Sequence, residues 1–178
     1  TAIISKVGDD ASGNEVITNI KEKHIVPFIA RDASIKTAYS TILLTGAGER
    51  TILVYRGAAE KLARKDVPFS KLKAKWLYIA PGNIPPVLIE EVVLRAKKQG
   101  ISIAMNPSKL YLERESERLR KLLKSIDIVF VNREEASSFT GVAYEDSRKI
   151  FKKFDELVPG IAVVTDGASG AKVSDGRY

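Results

Sequence analysis

The stretch Asp127-Ile-Val-Phe-Val131, followed directly by Asn132-Arg-Glu-Glu135, decides the predicted fold. Residues 128–131 are β-branched or aromatic, a pattern typical of a strand buried on both faces of a parallel sheet. Asn132 stands where this strand would end, and Glu135 lies about one helical turn further on. Both side chains are therefore expected at the carboxyl edge of the sheet, where open α/β sheets bind ligands.

Two interpretations of Asn132 and Glu135 follow from their spacing. As N-cap and third helical residue they fit a capping box, in which each side chain binds a backbone N–H of the new helix. Alternatively, the carboxylate and amide hold the waters of a phosphate-bound Mg²⁺ ion, a cation that prefers oxygen ligands and keeps most of its water. The pattern alone leaves both interpretations open.

Strands and helices alternate through the second half of the chain. The pattern predicts strands at residues 76–80, 101–105 and 161–165 in addition to 128–131, and helices over residues 86–99, 108–124, 133–139 and 145–157. This order predicts an α/β fold with a mostly parallel central sheet, flanking helices and right-handed crossovers.

The first half of the chain departs from this alternation. A strand at residues 3–7 and a helix to Lys23 are followed by three strand-like pieces, residues 25–30, 37–45 and 50–55, without helices between them. The last two are joined by the short loop Gly46-Ala-Gly48-Glu49. We expect residues 25–56 to form a small antiparallel flap over the ligand edge of the sheet.

Composition excludes several classes of protein. The chain of 178 residues has no cysteine and one histidine, His24. Disulfides and thiolate sites are therefore absent, and a Ser-His-Asp triad or a multi-histidine metal site is not expected. Because no apolar run approaches the roughly 18 to 20 residues that span a bilayer, we expect no membrane anchor. A cytoplasmic location is the default expectation.

The net charge of +7 is compatible with an anionic small substrate or with nucleic acid. Lysine and arginine are spread along the predicted helices and interleaved with acidic residues, which favours solvated helix faces over a nucleic-acid patch.

Two further segments are candidate ligand sites. Thr165-Asp-Gly167-Ala-Ser-Gly170 is either a glycine turn between two strands or a place where a hydroxyl and bare backbone approach a nucleotide. Asn106-Pro107-Ser108 follows another strand and is either a turn or part of the same ligand edge.

Taken together, these motifs resemble those of the ribokinase-like (PfkB) family of carbohydrate kinases over nearly the whole chain. The motifs that carry the resemblance are Lys6-Val-Gly-Asp-Asp10-Ala-Ser-Gly13, Thr37-Ala-Tyr39 with Gly48-Glu-Arg50, Asn132-Arg-Glu-Glu135, and Val164-Thr165-Asp-Gly167-Ala-Ser-Gly170. The resemblance implies a ribokinase-like fold with a kinase core (residues 1–24 and 57–178) and a β lid (residues 25–56).

The resemblance also implies ATP-dependent transfer of the γ-phosphoryl group to a hydroxyl of a sugar or similar small molecule. Asn132 and Glu135 would organise Mg²⁺ and phosphates, whereas Thr165, Gly167 and Gly170 would border the nucleotide. The implied substrate contacts are Asn106 near the cleft and Tyr39 and Arg56 in the lid, although Tyr39 is equally well explained as a packing aromatic. A monovalent cation is a further candidate cofactor, and a homodimer through the lid is a candidate assembly.

The sequence departs from the family pattern in its catalytic motif. The family places its general base, an aspartate, in a G-A-G-D motif that nothing here matches, because Gly46-Ala-Gly48 is followed by Glu49 within the flap. The family's sugar-binding glycine pair is also missing. We therefore expect a kinase core that is incomplete at both ends and inactive alone.

The sequence does not decide the substrate. Tyr55-Arg56-Gly-Ala-Ala59 resembles the flap end of sugar-acid kinases, but Asn106-Pro-Ser108-Lys109 lacks the second arginine of those enzymes. A neutral sugar or a nucleoside fits at least as well. A non-catalytic nucleotide- or sugar-binding module and a basic nucleic-acid binder stay as alternatives from other classes.

Overall fold

A computed structural model describes residues 1–46 and 50–174 of the chain. The chain forms two compact units, Thr1–Ser70 and Lys71–Tyr178. This division differs from the predicted core and lid, and that domain assignment stays a prediction. Within the described residues, none of the helices is both long and apolar enough to cross a membrane.

The first unit opens with a strand–helix–strand element: β1 (Ala2–Gly8), α1 (Ala11–Glu22) and β2 (Val26–Asp32). The two strands pair in parallel, with Ala2 opposite Val26 and Gly8 opposite Asp32. The prediction that the 25–30 strand belongs to an antiparallel flap is therefore wrong for its pairing. A strand that follows a crossover helix returns parallel to the strand before that helix.

An antiparallel hairpin completes the strands of the first unit. β3 (Tyr39–Leu44) pairs with β4 (Arg50–Tyr55), with Tyr39 opposite Tyr55. This confirms the predicted antiparallel pair, whereas residues 47–49 of the predicted loop lie outside the described residues. Every residue of both strands is exposed, including Ile42 at 56% and Leu53 at 56%. The hairpin therefore presents apolar side chains on both of its faces.

A buried lysine ties together the segments of this unit. Lys6 in β1 forms ion pairs with Asp32 (3.1 Å) and with Asp66 (3.3 Å) and also donates to the carbonyl of Lys61. Although burial alone would lower the pKa of Lys6, the two carboxylates raise it above its usual value. Asp66 belongs to one of the three short 3₁₀ helices that lie between residues 55 and 76: Gly57–Lys61, Arg64–Asp66 and Phe69–Lys71.

The second unit contains a five-stranded sheet in the order β5-β6-β7-β8-β9. Its strands are β5 (Trp76–Ile79), β6 (Ser102–Met105), β7 (Ile128–Asn132), β8 (Ile161–Thr165) and β9 (Ala171–Ser174). The first four run parallel, and β9 pairs antiparallel with β8. Its helices are α2 (Pro86–Lys98), α3 (Lys109–Arg114), α4 (Ser116–Leu123), α5 (Arg133–Thr140) and α6 (Ser147–Asp155). The predicted mostly parallel α/β sheet is confirmed.

The core of the second unit packs helices against one face of this sheet. Alternate strand residues such as Ile103, Met105, Val129 and Ala162 are completely buried. On the other face, Tyr78 of β5 is 61% exposed.

In the central strand β7, Val129 and Val131 are buried on the packed face, whereas Ile128 and Phe130 on the other face are half-buried. The predicted burial of this strand is therefore confirmed for one face, and the prediction that it is buried on both faces is wrong.

The helix predicted over residues 108–124 is wrong in one respect, because it is two helices. Glu115 separates α3 from α4 with φ −116° and ψ 26°, outside the helical region. The two halves have separate anchors. The hydroxyl of Tyr111 donates to the carbonyl of Ile84, and Arg118 binds Glu90 of α2. Periodicity within the segment cannot report these long-range anchors.

Candidate functional site

Three predicted site residues lie at the carboxyl edge of the second sheet. Asn132 is the last residue of β7 and the register partner of Thr165, the last residue of β8. Asn106 directly follows Met105, the last residue of β6. Because β5 to β8 are parallel, their carboxyl ends share one edge.

Asn132 and Glu135 form the complete capping box of α5. The Asn132 N–H donates to Glu135 Oε2 at 2.8 Å, and the Glu135 N–H donates to Asn132 Oδ1 at 2.8 Å. The capping interpretation is therefore confirmed. It does not exclude ligand binding, because the cap uses one of the two carboxylate oxygens of Glu135, and a carboxylate can accept about four hydrogen bonds.

A small cavity of about 90 Å³ lies beside this cap. It is lined by Lys109 and Leu112 of α3 and by Asn132, Glu134, Glu135 and Ser138. An ammonium, two carboxylates, an amide and a hydroxyl therefore meet around one space. This mixture of charges is suited to an anionic ligand that carries a cation.

The turn after β8 is a tight glycine turn. Residues Gly167–Ser169 form one turn of 3₁₀ helix, and the Asp166 N–H donates to the Gly170 carbonyl at 2.8 Å. Gly167 has φ 52° and Gly170 has φ 90°, a region that other residues rarely adopt. The turn interpretation is confirmed, and the bare backbone also permits close approach of a ligand.

Arg133 joins this turn to the start of α5. Its guanidinium donates to the Tyr144 carbonyl at 2.7 and 2.9 Å, lies 4.3 Å from the Tyr144 ring centre and pairs with Asp166 at 3.1 Å. Both charged side chains are largely buried, at 20% and 23% exposure. Arg133 therefore braces the 166–170 turn against the helix that starts at the capping box.

The donor set fits a hydrated metal ion better than a directly coordinated one. Among residues 1–46 and 50–174, no group of three or more His, Cys, Asp or Glu side chains is arranged to hold a metal ion. Mg²⁺ keeps several waters and commonly takes one or two carboxylates plus substrate phosphates. Glu135 supplies one carboxylate beside the cavity, and Asn132 supplies an amide, so the residues present fit a hydrated ion of this kind.

The predicted lid residues belong to the first unit. Tyr39 is 64% exposed, and its ring centre lies 5.5 Å from that of Tyr55. Arg56 forms an ion pair with Glu60 at 3.0 Å. The role of Tyr39 and Arg56 as substrate contacts stays a prediction.

Asp10 binds the segment that precedes the hairpin through hydrogen bonds that the sequence does not predict. It is the N-cap of α1 and accepts hydrogen bonds from the Thr37 hydroxyl (2.6 Å), the Thr37 N–H (2.9 Å) and the Gly13 N–H (2.8 Å). These bonds, led by that of the hydroxyl, lower the pKa of Asp10 to about 2. A Cβ on Gly8 would lie 2.5 Å from the Thr37 nitrogen, so only glycine fits beside this contact.

Sequence reasoning also missed Lys109 and Arg133 as parts of the site. Their positions in the sequence indicate a place near the site, because Lys109 lies three residues beyond Asn106 and Arg133 lies inside the capping motif. These positions do not identify the partners Glu134 and Asp166, which are brought close only by packing.

A family model described as pfkB family carbohydrate kinase matches residues 1–178, and the chain belongs to that family. The chain is 28% identical over 181 residues to a ribokinase from Mus musculus, covering 97% of this chain and 54% of that protein.

Two solved structures are similar in fold. One is an adenosine kinase from Anopheles gambiae in complex with P1,P4-di(adenosine-5) tetraphosphate (TM-score 0.84, 15% identity), covering 99% of this chain and 58% of that one. The other is a fructokinase with bound ATP from Xylella fastidiosa (TM-score 0.75, 21% identity), covering 98% and 59%. The ribokinase-like fold is thereby confirmed, and the chain spans little more than half the length of these relatives.

Proposed function

We propose that this chain forms part of an ATP-dependent kinase that transfers the γ-phosphoryl group to a hydroxyl of a sugar or sugar-like molecule. One observation carries the proposal: Asn132 and Thr165 are adjacent at the carboxyl edge of the sheet, beside Glu135, in a member of the PfkB family. A phosphoryl-transfer site needs groups that position phosphates and neutralise their charge more than groups that react covalently.

In this proposal, ATP and Mg²⁺ are the cofactors. Glu135 and Asn132 hold the ion through its waters, and Thr165, Gly167 and Gly170 border the nucleotide. A bound Mg²⁺ supplies charge neutralisation at the phosphates. The fructokinase that resembles this chain carries ATP, which supports the nucleotide assignment. A monovalent cation stays a prediction, as does a cytoplasmic location.

A neutral sugar is the substrate class that we favour, with a nucleoside or a sugar acid as alternatives. The relatives include a ribokinase, an adenosine kinase and a fructokinase, which supports a small hydroxyl-bearing acceptor. The segment Asn106-Pro107-Ser108-Lys109 lacks the second arginine of sugar-acid kinases, which makes a sugar acid the less favoured alternative. We propose Asn106, Tyr39 and Arg56 as substrate contacts.

We also propose that the β3–β4 hairpin acts as the lid and as the contact of a homodimer. The register places Tyr39, Tyr55 and Leu53 on one face of the hairpin and Ile42 and Ile52 on the other. A lid that covers a substrate with one face leaves the other apolar face for a second copy. Closure over the substrate would exclude water, a competing phosphate acceptor.

The test of the kinase proposal is Glu135→Gln in the intact protein, assayed for ADP release with a panel of sugars and nucleosides. Glutamine keeps an oxygen that can accept from the Asn132 N–H but removes the charge. We expect turnover to fall about a hundredfold, whereas the free energy of unfolding falls by less than about 1 kcal/mol.

The matched control is Glu117→Gln on α4, where the glutamate side chain is 86% exposed. This variant should change neither turnover nor stability. If Glu135→Gln instead unfolds the protein while the folded fraction keeps normal turnover, Glu135 only caps its helix. If the intact wild-type protein releases no ADP with any acceptor yet binds MgATP, the non-catalytic binding module is favoured.

A further inference from the structure

Lys109 is the cation at the wall of an otherwise acidic cavity. The charged groups that line the cavity are Lys109, Glu134 and Glu135. A third carboxylate, that of Glu113, lies 3.7 Å from the Lys109 ammonium. A phosphate that entered this cavity without a bound cation would therefore meet mainly negative charge, and Lys109 is the lining group that offsets it.

The ion pairs of Lys109 are loose. Its ammonium lies 3.6 Å from Glu134 Oε1 and 3.7 Å from Glu113 Oε1, both longer than a charge-assisted hydrogen bond of about 2.8 Å. The lysine side chain is 63% exposed and that of Glu134 is 75% exposed, where such pairs contribute little. The ammonium can therefore leave these carboxylates for a stronger anionic partner.

The order of the strands places Lys109 away from the nucleotide turn. The 165–170 turn follows β8, the capping box follows β7, and Lys109 follows β6, the strand on the other side of β7. Because neighbouring strands lie about 4.8 Å apart, the ends of β8 and β6 are separated by about 10 Å. Lys109 lines the same cavity as Glu135, so a nucleotide bordered by the turn at β8 and extended past Glu135 would bring its terminal phosphate towards Lys109.

We propose that Lys109 is a further nucleotide-binding residue whose ammonium contacts the terminal phosphate of ATP in the cavity beside Asn132 and Glu135. This assignment rests on the proposed kinase function and adds to it the group that distinguishes ATP from ADP. Lysine suits the task because its flexible stem carries a compact charge that can move from Glu134 to the phosphate.

The experiment measures binding of a non-hydrolysable ATP analogue and of ADP, each with Mg²⁺, to the intact protein by titration calorimetry. We expect Lys109→Met to weaken binding of the ATP analogue about tenfold, because one charge-assisted contact is lost, and to change ADP binding by less than about twofold. Lys109→Arg should restore most of the affinity for the ATP analogue, since it keeps the charge.

Two control variants separate this contact from structural effects. Lys152→Met removes an exposed lysine of α6, and Glu113→Gln removes one ion-pair partner of Lys109 on its own helix. Both should leave the preference for the ATP analogue over ADP unchanged.

Three results would overturn the assignment. If Lys109→Met weakened binding of the ATP analogue and of ADP equally, Lys109 would act on another part of the nucleotide or through long-range electrostatic attraction. Unchanged binding of both would mean a surface ion pair only. Absence of MgATP binding by the wild-type protein would remove the kinase proposal and the Lys109 contact together, whereas either of the first two leaves the kinase proposal standing.

Discussion

Replacement of Arg133 by methionine tests whether this side chain braces the 166–170 turn. Methionine keeps much of the apolar stem but removes the guanidinium, and with it the bonds to the Tyr144 carbonyl, the ion pair with Asp166 and the stacking on the Tyr144 ring. We expect α5 to remain capped, because the Asn132–Glu135 bonds do not involve Arg133.

The size of the effect follows from these contacts. Hydrogen bonding from a charged donor to the Tyr144 carbonyl contributes about 1.5 kcal/mol. The Arg133–Asp166 pair, with side chains 20% and 23% exposed, adds about 1 kcal/mol. The cation–π contact at 4.3 Å adds about 0.5 kcal/mol. The sum predicts a loss of about 3 kcal/mol in the free energy of unfolding.

Urea unfolding of the intact protein with linear extrapolation measures this loss. Arg133→Lys should recover part of the stability, because lysine keeps a charge for Asp166 but cannot reproduce the fork of donors. A double-mutant cycle with Asp166→Asn isolates the ion pair, and we expect a coupling of about 1 kcal/mol.

A loss below about 1 kcal/mol for Arg133→Met would refute the reasoning, because each contact is expected to contribute a substantial part of that amount. A coupling near zero with a large single-variant loss would refute only the contribution of Asp166. Nucleotide affinity provides an independent readout. If the turn borders the nucleotide as proposed, Arg133→Met weakens MgADP binding in the protein that remains folded.

Two further predictions concern the first unit. Folding lowers the pKa of Asp10 from 3.8 to about 2, so the contribution of its carboxylate to stability is present above pH 4 and is lost as the pH falls towards 2. Asp10→Asn should therefore lower the free energy of unfolding at neutral pH, and the difference from the wild-type protein should shrink in acid. Denaturant unfolding at a series of pH values measures this difference. Ile42→Lys should convert the proposed homodimer to a monomer in sedimentation measurements, whereas Thr51→Lys on the opposite hairpin face should not; a monomeric wild-type protein at the same concentration would contradict the dimer.

The sequence predicted the parts of the fold that depend on local patterns. The apolar run of residues 128–131 identified the central strand, and the spacing of Asn132 and Glu135 identified the capping box. The order strand, helix, strand is that of a βαβ unit and indicates parallel pairing of β1 and β2. The predicted flap instead grouped residues 25–30 with the two strands that follow, because no helix lies between them.

The sequence could not predict contacts that arise only from packing between distant segments. Lys109 reaches the site because α3 lies beside α5, and Asp10 meets Thr37 although 27 positions separate them. The break at Glu115 is of the same kind, since it accompanies the anchors of Tyr111 and Arg118 on other elements. Helical periodicity reports one face of one segment and carries no information about such partners.

The capping box has a consequence for how fast and how uniformly this edge of the sheet can respond to a ligand. Freezing a glutamate side chain costs about 1.5 to 2 kcal/mol of conformational entropy. In this chain the bond from the Asn132 N–H holds the Glu135 carboxylate before any ligand arrives. A cation bound here, as proposed, would therefore meet a Glu135 carboxylate that this bond already orients, and less side-chain entropy would be lost on binding.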